Sequence, residues 1–241
     1  MPDFRNALYQ SYVTKFKTEQ TQIQGRAIES IWSWYEYKYL PLLADLDKNS
    51  AILELGCGPG YILEFLKQCG FTKAAGIDIS EEQIAIATKR NLNVQTTDAF
   101  KYLATKKEVF DAIIAIDFLE HFSKEELFQL IPLIHQALKR DGRLIIQTPN
   151  GQGIFPHQVI YGDLTHLTIF TPDSLQQLLN LFGFDQIKFY ETGPIPKTIK
   201  GKIRFRLWQL IKHFANLIRS IETGKRQMIW TENMICLCYK K

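Results

Sequence analysis

Residues 51–60, Ala-Ile-Leu-Glu-Leu-Gly-Cys-Gly-Pro-Gly, constrain this chain more than any other stretch. A short apolar run reaches a carboxylate at Glu54, and glycines follow at alternate positions, Gly56, Gly58 and Gly60. The run reads as a buried strand and the glycines as a tight turn with no side chains in the way. The spacing of Tyr61, Ile62, Phe65 and Leu66 predicts a helix leaving that turn. Strand, glycine turn and helix N-terminus together form the ligand corner of a doubly wound α/β sheet.

The remainder of the chain fits such a sheet. Strands are expected at 51–54, 74–77, 92–95, 111–116, 143–148, 186–191 and 229–239, and helices at 60–68, 81–90, 123–139 and 172–182. This alternation predicts mostly parallel strands joined by right-handed crossovers, with helices on both faces. With 241 residues, 46% of them hydrophobic, the chain suits a single domain. We divide it into an N-terminal helical cap (1–45, aromatic-rich around Trp32–Tyr39), a core (46–191), a basic helical insertion (192–228) and a closing strand (229–241). The cap could cover the pocket or simply pack on the sheet. Asp3 and Arg5 interrupt any leader pattern and no apolar run approaches membrane-spanning length, which makes the cytoplasm the expected location. Four cysteines form no Cys-x-x-Cys pair. Cys236 and Cys238 would share one face of a strand, so all four read as reduced thiols.

The glycine spacing separates two ligand classes. A pyrophosphate turn uses G-x-G-x-x-G. Here the third glycine comes one residue early, and Glu54 aims a negative charge where a pyrophosphate would sit. That charge suits a ligand with a cationic end. With Glu54, Gly56, Gly58 and Gly60 in this arrangement, the chain resembles the class I, Rossmann-like methyltransferases that use S-adenosylmethionine. Their first motif is E/D-x-G-x-G-x-G. The similarity extends to the ubiquinone-pathway and saccharide O-methyltransferases through Asp117-Phe-Leu-Glu120-His121 and through Thr165-His166-x-x-x-Phe170-x-Pro172-x-x-Leu175. The resemblance implies a seven-stranded sheet whose last strand runs antiparallel between the fifth and sixth.

It also implies roles for the residues at the strand ends. Glu54, Gly56, Cys57, Gly58 and Gly60 would line the cofactor. Asp78, about 20 residues beyond the turn, would take the ribose hydroxyls, with Ile79 beside it. Asp98 would accept from the adenine amino group with Ala99 at the ring, and Asp117 would close over the methionine part. Asp98 could equally form a turn. Asn150, Tyr161 and Asp163, in the loop after the fifth strand, are expected on the acceptor. The product would be S-adenosylhomocysteine.

Methyl transfer to a hydroxyl requires removal of its proton. Imidazole, with an ordinary pKa of about 6.5, suits that task near neutral pH. The candidates are His166 first, then His157, then His121, with Asp163 available to orient whichever serves. Asp117, Glu120 and His121 carry the donor atoms for a divalent metal, but ordering of the turn explains them equally, and no metal is assigned. A nicotinamide-dependent oxidoreductase is the main rival, opposed by the early third glycine and by Glu54. A non-catalytic partner protein that kept the pocket is the other.

Charge is unevenly placed. Between Lys197 and Arg226 nine basic residues face one acid, Glu222. That segment carries +8, which leaves −4 for the rest of a chain whose total is +4. Within it, apolar residues recur at helical spacing from Ile203 to Ile221. Two readings stand: a lid helix packed on the body with a solvated basic rim, or a peripheral membrane contact through 199–222 that meets anionic lipid or an anionic, lipid-linked acceptor. No RNA-binding signature accompanies the charge, so nucleic acid is disfavoured. No oligomeric state is read from the sequence.

Overall fold

A computed structural model describes Leu8 and residues 26–241. Leu8 apart, the part of the N-terminal cap before Arg26 lies outside the described residues. The described helices are α1 (Arg26–Lys38), α2 (Tyr61–Gln68), α3 (Glu81–Lys89), α4 (Ala99–Leu103), α5 (Lys124–Ala137), α6 (His157–Tyr161), α7 (Pro172–Leu181) and α8 (Ile199–Thr223). The strands are β1 (Ile52–Leu55), β2 (Ala74–Asp78), β3 (Val94–Thr96), β4 (Phe110–Ile116), β5 (Leu138–Pro149), β6 (Phe184–Glu191) and β7 (Asn233–Lys240).

The strands form one seven-stranded sheet in the order β3-β2-β1-β4-β5-β7-β6. The pairs among β3, β2, β1, β4 and β5 are parallel, whereas β7 is antiparallel to both β5 and β6. This is the doubly wound arrangement expected, with the closing strand where the family resemblance puts it. Because β6 is thereby parallel to β5, residues following β6 emerge on the same edge as the loops after β1, β2, β4 and β5.

Alternation of side chains sorts the core into two layers. On one face Leu53, Leu55, Ile113, Ala115, Leu144 and Ile146 pack under α5 and α7. On the other, Ile52, Ala112, Ile114, Ile145, Ile235 and Leu237 meet Ile62 and Leu66 of α2 and the Tyr39–Leu43 segment. Cys236 and Cys238 share the first face and are free, buried thiols, as their spacing implied. The aromatic segment does pack on the body: Tyr39, just past α1, joins the core on the sheet, and Tyr35 of α1 meets Phe65 of α2.

Element ends differ from the sequence pattern where local hydrogen bonding overrides it. The helix expected to run to 139 stops at Ala137 because Leu138 already pairs with Phe110, and the register then shifts to Ala112–Arg143. The closing strand starts at Asn233, not 229. A short helix after Asp98 is not foreshadowed by the pattern; the Asp98 side chain caps it, accepting from Lys101 N–H at 3.0 Å.

Gly76 on β2 carries the packing of the glycine turn. A Cβ there would stand 2.6 Å from both Cys57 Cβ and Leu63 Cδ1. Gly76→Ala is therefore expected to cost about 1–3 kcal/mol of stability, read as a lower urea midpoint at unchanged slope. An unchanged midpoint would show that the turn is free to move off β2.

Candidate functional site

The crevice is built at the carboxyl edge of the parallel strands, around the turn after β1. Gly56, Gly58 and Gly60 all have left-handed φ, at 66°, 51° and 80°. Any other residue would be strained there. Cys57 N–H donates to Ile77 O at 3.0 Å and Cys57 O accepts from Gly60 N–H at 2.9 Å, which ties the turn to β2. A Cβ on Gly56 would meet Phe118 at 2.7 Å and one on Gly60 would meet Leu92 at 2.4 Å; the nearest atom to one on Gly58 is 3.8 Å away. Of the three, only Gly58 would bring an added Cβ into no more than ordinary van der Waals contact, with Gln83. Cys57 itself is buried, and burial pushes its thiol pKa far up.

Two carboxyls face this turn. Glu54 is buried, and its Oε2 has no hydrogen-bond partner among the described residues. Burial first, then the nearby Asp78, raises its pKa well above the usual carboxylate range. Asp78 Oδ2 accepts from Gly58 N–H at 2.9 Å and Oδ1 from Ser80 N–H at 2.8 Å. Burial raises the Asp78 pKa in spite of those bonds. Ser80 caps α3, so Asp78 is not needed for that purpose. Beside it Ile79 is half exposed, an apolar surface at the end of β2. Asp98 is exposed and Ala99 buried at the start of α4.

The wall over the turn comes from α1 and from the end of β4. Burial first, then Glu54, Asp117 and Tyr61, hold the Tyr35 phenol pKa above its usual value, and the ring packs against Tyr39 and Phe65. Tyr39, fully buried one helical turn on, donates its hydroxyl to Gln147 Oε1 at 2.8 Å, and Gln147 Nε2 donates to Asp117 Oδ1 at 3.0 Å. Asp117 is held at φ 47°, a left-handed conformation unusual for a residue with a side chain. The cap segment thus both packs on the sheet and reaches the pocket. Tyr35, Tyr39 and Gln147 are site residues that the sequence reading misses. Their signals are the i, i+4 tyrosines and the polar residue that follows the apolar run Leu144–Ile146 of β5.

The loop after β5 folds back onto Glu120 and His121. Glu120 O accepts from Leu167 N–H at 2.7 Å and Thr168 N–H at 3.1 Å. Its buried side chain accepts from Thr148 Oγ1 at 3.2 Å through Oε2, while Oε1 has no partner among the described residues. Burial, with Asp117 next, raises its pKa well above normal. Thr165 Oγ1 lies 2.6 Å from Asp163 Oδ1 and 2.8 Å from His121 Nδ1. The Thr165 hydroxyl thus links the Asp163 carboxyl to the His121 ring, whose Nδ1 also lies 3.4 Å from Thr165 O. The His166 ring sits 4.9 Å from the His121 ring, edge to face. Its Nδ1 donates to Ile160 O at 3.2 Å, which leaves the lone pair on Nε2.

The structure therefore brings together two of the three candidate histidines. His157 is exposed and lies against Tyr161, itself an exposed residue at the other end of α6. Asp163 orients His121, through Thr165. Asn150 corrects one expectation: it is fully buried, donates to Ile229 O and Thr231 O, and accepts from Gln152 N–H, so it braces the loop and offers no exposed atom to an acceptor. The metal-type cluster also differs from the one considered. Among the described residues Glu120, His121 and His166 place ligand atoms within 4.8 Å of one another, with His166 in the place of Asp117. Farther along the same edge a cavity of about 860 Å³ opens between α1, the loop after β6 and α8, lined by Trp34, Phe155, Arg204, Trp208 and Trp230.

Residues 31–188 match the family described as a methyltransferase domain. The mitochondrial ubiquinone biosynthesis O-methyltransferase of Mus musculus is 28% identical over 173 residues, which cover 56% of this chain and 46% of that protein. The matched region is thus a little under half of that relative's length. In fold the chain is similar to a SAM-dependent methyltransferase from Archaeoglobus fulgidus, with TM-score 0.66 and 23% identity over 88% of this chain and 94% of that one. It is also similar to the magnesium protoporphyrin IX methyltransferase of Synechocystis PCC 6803 solved with bound SAM, with TM-score 0.56 and 16% identity over 98% and 96% of the two chains.

The raised Glu54 pKa has a consequence for stability. Unfolded, this carboxyl ionises in the ordinary range; folded, it resists ionisation, so stability falls as pH rises from that range toward the folded value. Glu54→Gln should raise the melting temperature of the ligand-free protein at about pH 7.5 and leave it unchanged at about pH 4. A gain of about 1 kcal/mol appears as about 2–4 °C for a chain of this size. A lower melting temperature at neutral pH would show that Glu54 is stabilised as the ion.

Proposed function

This chain belongs to the methyltransferase-domain family, and from that premise we propose that it is a cytoplasmic enzyme that methylates a hydroxyl on a small-molecule, saccharide or lipid-linked acceptor, with S-adenosylmethionine as donor and S-adenosylhomocysteine as product. The observation that carries the reading is the buried Glu54 carboxyl, with Oε2 lacking a donor beside a left-handed glycine turn. A diphosphate brings more negative charge to that place, which counts against a nicotinamide-dependent oxidoreductase. A nucleoside with an ammonium and a sulfonium supplies the missing positive charge, so the residues present fit it.

Bound there, S-adenosylmethionine supplies a methyl group already activated on positive sulfur. The chain's residues do the rest. Asp78, braced by Gly58 and Ser80, holds ribose hydroxyls; Ile79 and Ala99 flank the base and Asp98 accepts from its amino group; Glu54 and the turn receive the cationic end. Phe118, pressed against Gly56, Tyr35 and Tyr39 exclude water. His166 Nε2 accepts the acceptor's hydroxyl proton, since Nδ1 is committed to Ile160 O. His121, fixed through Thr165 and Asp163, lies beside it. The pair gives a reason to favour an enzyme over a binding protein that kept the pocket.

A second reading has its own support. The three-residue cluster and the unpartnered Glu120 Oε1 could hold a divalent cation, which would activate the acceptor hydroxyl as a Lewis acid. Dialysis against a chelator distinguishes the two: turnover is retained if His166 acts as base, and is lost and restored by added cation if the cluster binds metal.

Calorimetry with S-adenosylhomocysteine and with NAD tests the donor; binding of NAD alone would overturn the assignment. Asp78→Ala should weaken S-adenosylhomocysteine at least about tenfold, the loss of one charge-assisted hydrogen bond. His166→Ala should lower kcat by about 10²–10⁴ with donor affinity kept. Radiolabel from the methyl donor, followed into a cell extract, identifies the acceptor; the opposite pattern of the two variants refutes their roles.

A further inference from the structure

Helix α8 is built inside out. Ile203, Leu207, Leu210, Phe214, Leu217 and Ile221 recur at alternating four- and three-residue steps, which is one face of a helix. Each is more than half exposed, and none of the 25 residues of α8 is buried. The stripe is about 27 Å long. The helix meets the body through its opposite side instead. Trp208 Nε1 and Lys212 Nζ both donate to Glu191 Oε2, at 3.2 and 2.7 Å, and Asn216 Oδ1 accepts from Gln227 N–H at 2.7 Å.

The margins of the stripe decide what can cover it. Along its N-terminal turns, Lys202 and Arg206 flank one side and Lys200 and Arg204 the other; all four are exposed. Glu222 is the one acid in the helix. Laid parallel on this stripe, a second copy would set these cations against their own kind; laid antiparallel, it would offer the four of them a single acid, Glu222. The chain's residues 1–25 carry Arg5, Lys15 and Lys17 against Asp3 and Glu19, so they bring no net negative charge either. No helix among the described residues is long and apolar enough to cross a membrane. We propose that α8 lies in the plane of an anionic lipid bilayer, its apolar stripe sunk between the acyl chains and its Lys and Arg margins at the phosphates. This does not depend on the methyl-transfer reading. Lys200, Arg204 and Trp208 also line the 860 Å³ cavity, so the bound surface would border that opening.

Flotation of the full chain with phosphatidylcholine vesicles, with and without phosphatidylglycerol, tests the proposal. The wild type should float with the anionic vesicles and stay down with the neutral ones, and added salt should release it. Phe214→Asp should abolish flotation with an unchanged melting temperature, because the side chain is 55% exposed. Arg206→Gln should weaken binding about fivefold, the effect of one basic residue at a charged surface. Equal behaviour toward the two vesicle types, or flotation of Phe214→Asp like the wild type, overturns the proposal. So does a wild-type dimer in light scattering that Phe214→Asp dissociates, since a second copy would then cover the face.

Discussion

A carboxyl group buried with an oxygen that nothing donates to is costly, and the crevice is organised around one. Glu54 shares a strand face with Ile52, so the alternation that buries Ile52 against α2 also buries Glu54 on that side of the sheet. β1 is central, paired with β2 and β4, and cannot slip to release it. Asp78 cannot relieve it either, because its own oxygens hold the amides of Gly58 and Ser80. An unmade hydrogen bond of this kind costs about 1–3 kcal/mol. The two-layered apolar core supports that cost, and a cationic ligand would recover it on binding. Stability and ligand preference therefore rest on the same atom.

Much of this was legible in the sequence because it is local. Short apolar runs alternating with helical segments located the seven strands, and glycine spacing with a preceding acid located the turn. Acids at strand ends were legible for the same reason: parallel strands deliver their carboxyl ends to one edge. What escaped is non-local. The relay Asp163–Thr165–His121 joins residues 44 apart in the chain, and no spacing rule connects them. Asn150 was misread for a related reason. A polar residue at a strand end looks the same in sequence whether it faces a substrate or ties down residues 229–232, some 80 positions away.

The orientation of α8 was hidden differently. Periodicity shows that a helix has an apolar side; it says nothing of whether that side faces the core. Here the decision was made by Glu191, at the end of β6. Its carboxylate takes Trp208 and Lys212 from α8 and, through Oε1, the Trp230 amide at 2.9 Å. Two donors from α8 and one from the returning chain converge on one carboxylate, and the apolar side of α8 is left pointing outward.

The antiparallel β7 strengthens that outcome. Because β7 runs against β6, the insertion both leaves and re-enters the sheet at the edge that carries the crevice. α8 is about 37 Å long and meets that edge near its middle, where Trp208 and Lys212 reach Glu191. Residues 225–232 must then return, and eight residues reach at most about 29 Å. The return segment accordingly runs back beside the helix, with Gln227 N–H on Asn216, and fills the side next to the body. With its inner side taken by Glu191 and by the returning chain, the helix has no sheet left to bury its apolar stripe against. A loop topology that keeps both ends of an insertion at the active edge thus also keeps the insertion's hydrophobic face at the surface.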